Sequence, residues 1–145
     1  MLDFTVNHSS VADIETHLKR CADGFPPPLY ERIDIRVYAA KLKEFAVLCE
    51  AWEGGELIGV VAGYCNDVGA QKSFISNVSV VRQSQGRGLA KTLLNKFCVL
   101  AAQKGFTTVE LKVDTRNRKA KTVYENFGFT CKDVCGLDLN MTRWL

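Results

Sequence analysis

Two glycines in the segment Val78–Ala90 give the chain its most specific chemical signal. The segment reads Val-Ser-Val-Val-Arg-Gln-Ser-Gln-Gly-Arg-Gly-Leu-Ala, a β-branched run followed by a glycine turn and the start of an apolar helical pattern. Gly86 and Gly88 permit close backbone approaches that a Cβ would block. The first amides of the following helix lack internal partners and point toward the turn, where the helix dipole adds positive charge. The sequence therefore predicts an anion site at this turn.

The common nucleotide loops do not fit this turn. A Walker loop requires G-x-x-x-x-G-K-[ST], which the chain lacks, and the dinucleotide fingerprint requires a third glycine where Lys91 stands. Arg87 and Lys91 can add positive charge to a bound anion. On these residues alone, a glycine-rich turn without a ligand remains an equal alternative.

The charges of the chain are concentrated in one stretch. The formal net charge is +3, but residues 82–121 carry ten Lys and Arg residues against Glu110 and Asp114. A basic stretch in a mildly acidic host indicates a polyanionic ligand, with a solvated basic face as the alternative. Aromatic residues are not interleaved with this stretch as a nucleic-acid stacking surface requires, so nucleic acid is not an expected partner.

The apolar patterns predict an α/β fold. Helical spacing and caps predict helices over residues 10–22, 29–44, 89–104 and 117–127, of which residues 29–44 also alternate like a strand in part. Strands are predicted over residues 2–6, 45–52, 56–64, 73–81, 107–113, 130–134 and 137–144, with a loop over 66–72. The order predicts a mixed sheet in which N-terminal antiparallel strands and helices precede a β-α-β-α-β unit and a closing strand.

The length of 145 residues fits one domain over residues 1–145. The N-terminus resembles no signal peptide, and no apolar stretch approaches the roughly 18 residues of a membrane span, so a cytoplasmic protein without membrane contacts is expected.

Six cysteines are expected mainly as core thiols, since several lie in apolar runs. The C-x-x-x-C spacing of Cys131 and Cys135 lacks a second ligand pair, so no metal is expected.

Two motifs resemble the GNAT acetyltransferase superfamily. Gln85-Gly86-Arg87-Gly88-Leu89-Ala90 matches its [Q/R]-x-x-G-x-[G/A] signature between a strand and a helix. Asn117-x-x-Ala120-x-x-x-Tyr124-x-x-x-Gly128-Phe129 is similar to its later motif N-x-x-A-x-x-x-Y-x-x-x-G-F. The motifs span residues 78–129 with one strand between them, whereas the first third of the chain matches only in outline.

The resemblance implies acetyl-CoA as cosubstrate. The turn would hold the pyrophosphate and the preceding strand the pantetheine arm. The implied CoA-binding residues are Val78, Val80, Gln85, Gly86, Arg87, Gly88, Ala90, Lys91, Asn117, Ala120 and Tyr124. The Val78 N–H would polarise the thioester carbonyl as an oxyanion contact. Asn117 can equally serve as a helix cap.

The resemblance also implies that Tyr124 is the general acid for the leaving thiolate, with a structural tyrosine as the alternative. Some members of the family carry a carboxylate on the strand before the turn, but this chain has none there. Asn77 and Ser79 can contact the acceptor or, with Ser76, order a water. Glu50 and Glu110 are candidate bases on neighbouring strands, and each is equally explained as a surface charge.

The resulting hypothesis is transfer of acetyl from acetyl-CoA to an amine by direct attack in a ternary complex. A small amine or amino sugar is the preferred acceptor, and a protein N-terminus or lysine is the alternative. A non-catalytic acyl-CoA-binding regulatory module is a further alternative. The oligomeric state stays open, with a homodimer as one option.

Overall fold

The computed structural model describes residues 1–145, which form seven strands and five α-helices. The strands are β1 (Leu2–Val6), β2 (Val47–Glu53), β3 (Glu56–Asp67), β4 (Lys72–Val80), β5 (Thr108–Asp114), β6 (Thr130–Cys135) and β7 (Asp138–Trp144). The helices are α1 (Val11–Cys21), α2 (Leu29–Arg32), α3 (Ile35–Phe45), α4 (Leu89–Gln103) and α5 (Arg118–Asn126).

All seven strands belong to one mixed sheet with the order β1-β2-β3-β4-β5-β7-β6. Strands β1 to β4 are antiparallel neighbours, and β4 and β5 form the parallel pair on either side of α4. Strand β7 lies antiparallel between β5 and β6. This arrangement confirms the predicted α/β fold with its mixed sheet and parallel β-α-β unit.

The N-terminal helices differ from the single helix predicted over residues 29–44. Ile33 is extended, and the Asp34 side chain accepts a hydrogen bond from the Val37 N–H, which makes Asp34 the N-cap of α3. The segment therefore forms two helices, because the capping aspartate favours a new helix start over continuation. The neighbouring boundaries shift as well: Phe45 ends α3 instead of starting a strand, and β3 extends to Asp67 into the predicted loop.

Two apolar clusters cover the two faces of the sheet. One contains α4 residues such as Leu93 and Phe97, and the other contains α1 and α3 residues such as Ile14 and Leu42. Helix α4 places its apolar residues at the spacing that the sequence predicts. The clusters therefore pack α4 against one face of the sheet and α1 and α3 against the other.

The cysteine interpretation holds in part. All six cysteines are free, and Cys21, Cys49 and Cys98 are buried. Cys131 and Cys135 are exposed on β6, so their expected place in the core is wrong. Strand β6 is exposed along its full length because it lies at the edge of the sheet.

None of the helices has the length and apolar character needed to cross a membrane.

Candidate active site

The parallel strands β4 and β5 diverge and open a cleft in the middle of the sheet. They pair only where Lys72–Ile75 meets Thr108–Leu111, although β4 continues to Val80 and β5 to Asp114. Two cavities of about 390 and 290 Å³ lie along the divergence. We call the larger one the turn cavity, because it contains the glycine turn, and the smaller one the strand cavity. They share five lining residues: Phe25, Val78, Asn117, Ala120 and Tyr124.

The glycine turn forms the wall of the turn cavity as the sequence predicts. Gly86 and Gly88 have φ angles of 84° and 75°, in the left-handed region that glycine adopts without strain. Gly88 is the N-cap of α4 and provides no side chain, so the first amides of the helix keep no capping partner. Ala90 and Lys91 in the first turn also line the cavity. These amides and the helix dipole suit a bound anion.

The charged side chains around the turn are arranged differently from the prediction. Arg87 forms a bidentate ion pair with Glu53, with both nitrogen–oxygen distances at 3.0 Å, and its side chain does not line the turn cavity. The Arg87 guanidinium is therefore paired with Glu53 outside the turn cavity. Lys119, which no motif predicts as a site residue, lines the cavity and donates to the Gln85 Oε1 at 2.8 Å. The Gln85 Nε2 in turn donates to the Val80 carbonyl at 3.1 Å, so one side chain links β4 to α5.

The backbone of β4 presents free polar groups to the cleft. The Val81 N–H donates to the Ile58 carbonyl at 2.9 Å, and the register pairs Val78 with Val61. Because hydrogen-bonded and non-bonded pairs alternate in an antiparallel ladder, the N–H and C=O of Val78 and Val80 point away from β3. They point toward the side where β5 has diverged. The Val78 N–H is thus directed to the place where the two cavities meet.

Helix α5 brings the later motif to the same place. Asn117 caps the helix by accepting a hydrogen bond from the Ala120 N–H at 3.1 Å. It also lines both cavities. Ala120 and Tyr124 follow on the same helical face. The Tyr124 ring packs edge-on against Phe129, with ring centroids 5.9 Å apart.

The Tyr124 hydroxyl is free to act on a ligand. The side chain is 8% exposed, its hydroxyl makes no hydrogen bond within the protein, and it is not among the fully enclosed unpaired atoms. Burial raises the pKa of Tyr124 above the ordinary value of 10. The phenol therefore stays protonated at pH 7, as a proton donor must.

Glu50 lies away from this cleft. Its carboxylate is fully buried and accepts hydrogen bonds from the Thr5 hydroxyl at 2.7 Å, the His8 N–H at 2.8 Å, and the Ser9 N–H at 2.9 Å and its hydroxyl. The surface-charge alternative is therefore wrong for Glu50. The carboxylate fixes the junction between β1 and α1, and the structure does not bring it together with Tyr124.

Glu110 also lies outside the two cavities that share Tyr124. It pairs with Lys132 at 3.2 Å and with Lys72 at 3.9 Å, and it lines a separate cavity on the far side of Phe74. Its side chain is 25% exposed, which fits the charged-surface alternative. Neither Glu50 nor Glu110 lines the two cavities that meet at Tyr124, so neither is placed to act as a base there.

The strand cavity contains two carboxylates, Asp114 and Asp138, that belong to neither sequence motif. Asp114 and Asp138 lie directly opposite each other on β5 and β7. Hydrogen bonds from Arg116 lower the pKa of Asp114 to about 2 and engage both of its oxygens. Asp138 has no ion-pair or hydrogen-bond partner for its side chain. Asp114 directly follows the predicted strand over residues 107–113, and Asp138 is near the start of the predicted strand over 137–144, but only the β5–β7 register brings them together.

Residues 11–129 match the Acetyltransferase (GNAT) family. The chain belongs to this family. This GNAT protein is 32% identical over 98 residues to the probable N-acetyltransferase family 8 member 5 of Mus musculus. The match covers 66% of this chain and 43% of the mouse protein, so the chain spans less than half the length of that relative.

Solved structures share the fold of this GNAT protein. The PaiA N-acetyltransferase of Thermoplasma acidophilum, solved in complex with coenzyme A, has a TM-score of 0.76 at 18% identity and 99% coverage of both chains. Aminoglycoside 6'-acetyltransferase type Ii has a TM-score of 0.81 at 14% identity, covering 99% of this chain and 96% of that one. At such identities the likeness shows the fold alone.

The cleft of the GNAT protein fits acetyl-CoA by its own geometry. The uncapped amides of α4 suit the pyrophosphate, and a Cβ built at Gly86 or Gly88 would meet no protein atom within 4 Å. The space in front of the turn is therefore open to a ligand. The Val78 N–H and C=O and the Val80 N–H have no partner within the protein, whereas the Val80 carbonyl accepts from the Gln85 Nε2. The unpaired groups suit the amides of a pantetheine arm.

Replacing Gly88 by valine should reduce acetyl-CoA affinity at least tenfold. A β-branched residue at a φ of 75° is strained by about 1–3 kcal/mol, and its Cβ would enter unoccupied space next to the first amides of α4. Isothermal titration calorimetry measures the affinity. Gly105, with a φ of 89° and equally open surroundings, lies beyond the other end of α4. Gly105→Val introduces the same strain and should bind acetyl-CoA like the wild type. Unchanged affinity in Gly88→Val would contradict the site assignment.

Proposed function

We propose that the protein transfers the acetyl group of acetyl-CoA to an amine by direct attack in a ternary complex. The observation that carries this proposal is the meeting of two cavities at Val78 and Tyr124. The turn cavity suits the donor and the strand cavity the acceptor. Both substrates can therefore be bound at once, with the reacting carbonyl at the junction.

The proposed chemistry follows from the groups at the junction. The amine nitrogen attacks the thioester carbon, and the Val78 N–H stabilises the charge that develops on the carbonyl oxygen. The carbon–sulfur bond then breaks, and Tyr124 donates its proton to the departing thiolate. A phenol pKa above 10 opposes transfer to a thiolate of pKa about 8.5, so the proton moves as the thiolate charge develops.

The acceptor must lose a proton to react. A lysine-like amine has a pKa of about 10.4, and its deprotonation at pH 7 costs about 4.6 kcal/mol. No carboxylate at the junction of the cavities offers a base, and the unpaired Asp138 lies at the end of the strand cavity. Water ordered by Ser76 and Asn77 is the proposed relay, because both residues line the cavity.

A small amine or amino sugar is the proposed acceptor. The strand cavity of about 290 Å³ is at the lower end of the range for small-molecule sites. The unpaired Asp138 carboxylate attracts a cationic amine, since its cross-strand neighbour Asp114 is already neutralised by Arg116. Arg32 and Lys112 at the same cavity suit an acceptor that also carries acceptor oxygens or hydroxyls.

A panel of amines, amino sugars and peptides, assayed for thiol release from acetyl-CoA, tests the proposal. We expect turnover with a small cationic amine and intersecting initial-velocity lines when both substrates are varied. Parallel lines would contradict direct attack.

Asp138→Asn should raise the acceptor KM several-fold without changing the acetyl-CoA KM.

The same panel separates the alternatives. Turnover confined to peptides would favour a protein N-terminal or lysine acetyltransferase. Acetyl-CoA binding without thiol release across the panel would favour the non-catalytic acyl-CoA-binding module. A cytoplasmic location and a possible homodimer state belong to the same proposal, and cell fractionation and size-exclusion chromatography test them.

A further inference from the structure

Three hydrogen bonds form a continuous chain from the backbone of β3 to the wall of the strand cavity. The His17 Nδ1 lies 2.9 Å from the Leu57 carbonyl oxygen, and its Nε2 lies 2.8 Å from the Ser79 Oγ. The Asn77 Nδ2 donates to the same Ser79 Oγ at 2.9 Å. His17, Ser79 and Asn77 are 1%, 5% and 4% exposed, so each polar atom depends on its protein partner.

The direction of every hydrogen bond in this chain is fixed by its first member. A backbone carbonyl can only accept, so the His17 Nδ1 must carry the proton. Burial lowers the pKa of His17 to about 4, which leaves the ring neutral at pH 7 and the Nε2 bare. The bare Nε2 accepts, so the Ser79 hydroxyl must donate to it. The Cys21 thiol is the other donor near Nε2, but at 3.7 Å it is distant and weak.

The Asn77 amide is oriented as a result. The only hydrogen of the Ser79 hydroxyl is used by His17, so the Ser79 Oγ can only accept from Asn77. The amide must therefore turn its NH₂ group toward Ser79. The Asn77 Oδ1 then makes no hydrogen bond in the protein, and it is not fully enclosed, while Asn77 lines the strand cavity. An accessible acceptor oxygen thus lies one residue from the Val78 N–H.

We propose that His17 is a positioning residue that, through Ser79, fixes Asn77 so that its Oδ1 accepts a hydrogen bond from the N–H of the acceptor amine. This inference rests on the proposed amine acetylation. The contact holds the nitrogen beside the thioester carbonyl, which the neighbouring Val78 N–H holds by its oxygen. A flipped amide would present its NH₂ group to the amine instead, and a hydrogen bond from that group would occupy the nitrogen lone pair that must attack the thioester.

Nitrogen-15 NMR of the wild-type protein tests the direction of these hydrogen bonds. The protein has two histidines, and a His8→Gln variant assigns the signals of His17. We expect the His17 Nδ1 to resonate as a protonated nitrogen and its Nε2 as a bare one at pH 7. A protonated Nε2 would overturn the inference, because Ser79 would then be free to donate to Asn77.

Kinetics of Ser79→Ala test the consequence for the acceptor. We expect kcat/KM for the acceptor to fall about tenfold, the usual effect of one lost hydrogen bond, with the acetyl-CoA dissociation constant within twofold of wild type. Ser73→Ala is the matched control, because Ser73 is a buried β4 serine whose hydroxyl donates to the Thr108 carbonyl at 2.9 Å away from the acceptor. It should keep the wild-type kcat/KM.

The outcomes separate this inference from the proposed function. A wild-type protein that acetylates no amine overturns the proposed function. An active wild type in which Ser79→Ala and Ser73→Ala have equal acceptor kcat/KM overturns the positioning role alone. Equal losses of acceptor and acetyl-CoA binding in Ser79→Ala would also overturn it, since they would indicate a general structural effect.

Discussion

Tyr124→Phe should lower kcat about 100-fold or more while leaving the fold and both KM values nearly unchanged. The hydroxyl makes no hydrogen bond within the protein, so its removal leaves no unpaired partner. The ring keeps its contact with Phe129, and the lost function is proton donation to the thiolate. General acid catalysis typically raises a reaction rate by roughly 10²–10⁴-fold. Steady-state kinetics with the active acceptor measure the effect.

Tyr64→Phe is the matched control for this substitution. Tyr64 also has a buried hydroxyl without a hydrogen-bond partner, but it lines the separate cavity that contains Glu110. Its replacement should leave kcat unchanged. Equal turnover by Tyr124→Phe and the wild type would show that the acid assignment is wrong.

The pH dependence of kcat gives an independent check on Tyr124. An acid works only while protonated, and burial raises its pKa above 10. Loss of the acid form therefore occurs only at a pH above the ordinary phenol range. We expect no alkaline loss of kcat from this group below about pH 10. A wild-type alkaline limb below that pH that disappears in Tyr124→Phe would contradict the assignment.

Glu50→Ala should lower the free energy of unfolding by about 3–5 kcal/mol, because it removes a buried carboxylate that accepts four hydrogen bonds. The carboxylate satisfies two backbone N–H groups and two hydroxyls at the junction of β1 and α1. Its removal leaves buried donors without partners and a cavity in their midst. Glu50→Gln keeps the shape and one acceptor oxygen, so it should cost less, about 2 kcal/mol. Urea unfolding measures both.

Glu110→Gln is the control for the Glu50 variants. Its ion pairs with Lys72 and Lys132 are partly exposed, and such pairs contribute about 0–1 kcal/mol. We expect Glu110→Gln to unfold like the wild type and to keep its kcat. If folded Glu50→Gln has wild-type stability but no activity, Glu50 is the catalytic base and not a structural anchor.

The glycine turn and the α5 motif could be predicted, because the conformational preferences and spacing of neighbouring residues determine both. A left-handed backbone at Gly86 and Gly88 requires glycine, and Asn117, Ala120 and Tyr124 share a face through helical periodicity alone. The helix break at Asp34 was also a local signal. It was missed because good helix formers on both sides outweighed one capping aspartate.

The base candidates show where sequence reasoning fails. Glu50 is the charged residue of a predicted strand that is otherwise mostly apolar. Nothing near it in the sequence indicates that residues 5, 8 and 9 surround its carboxylate. Arg87 looked like a phosphate ligand from its place in the motif. Its actual partner Glu53 is 34 residues away and competes for the same guanidinium.

The sequence by itself determined the features of the proposed donor side: a glycine turn before α4, a capped α5 with Tyr124, and the α/β order that brings them together. These features depend on backbone freedom and short-range periodicity, which are visible in neighbouring residues. Only the tertiary structure decided the features of the proposed acceptor side. Strand register sets the divergence of β4 from β5 and places Asp114 opposite Asp138. Helix packing brings His17 into contact with Ser79, which is 62 residues away. Such long-range contacts are set by the burial of the whole core, which no local pattern encodes.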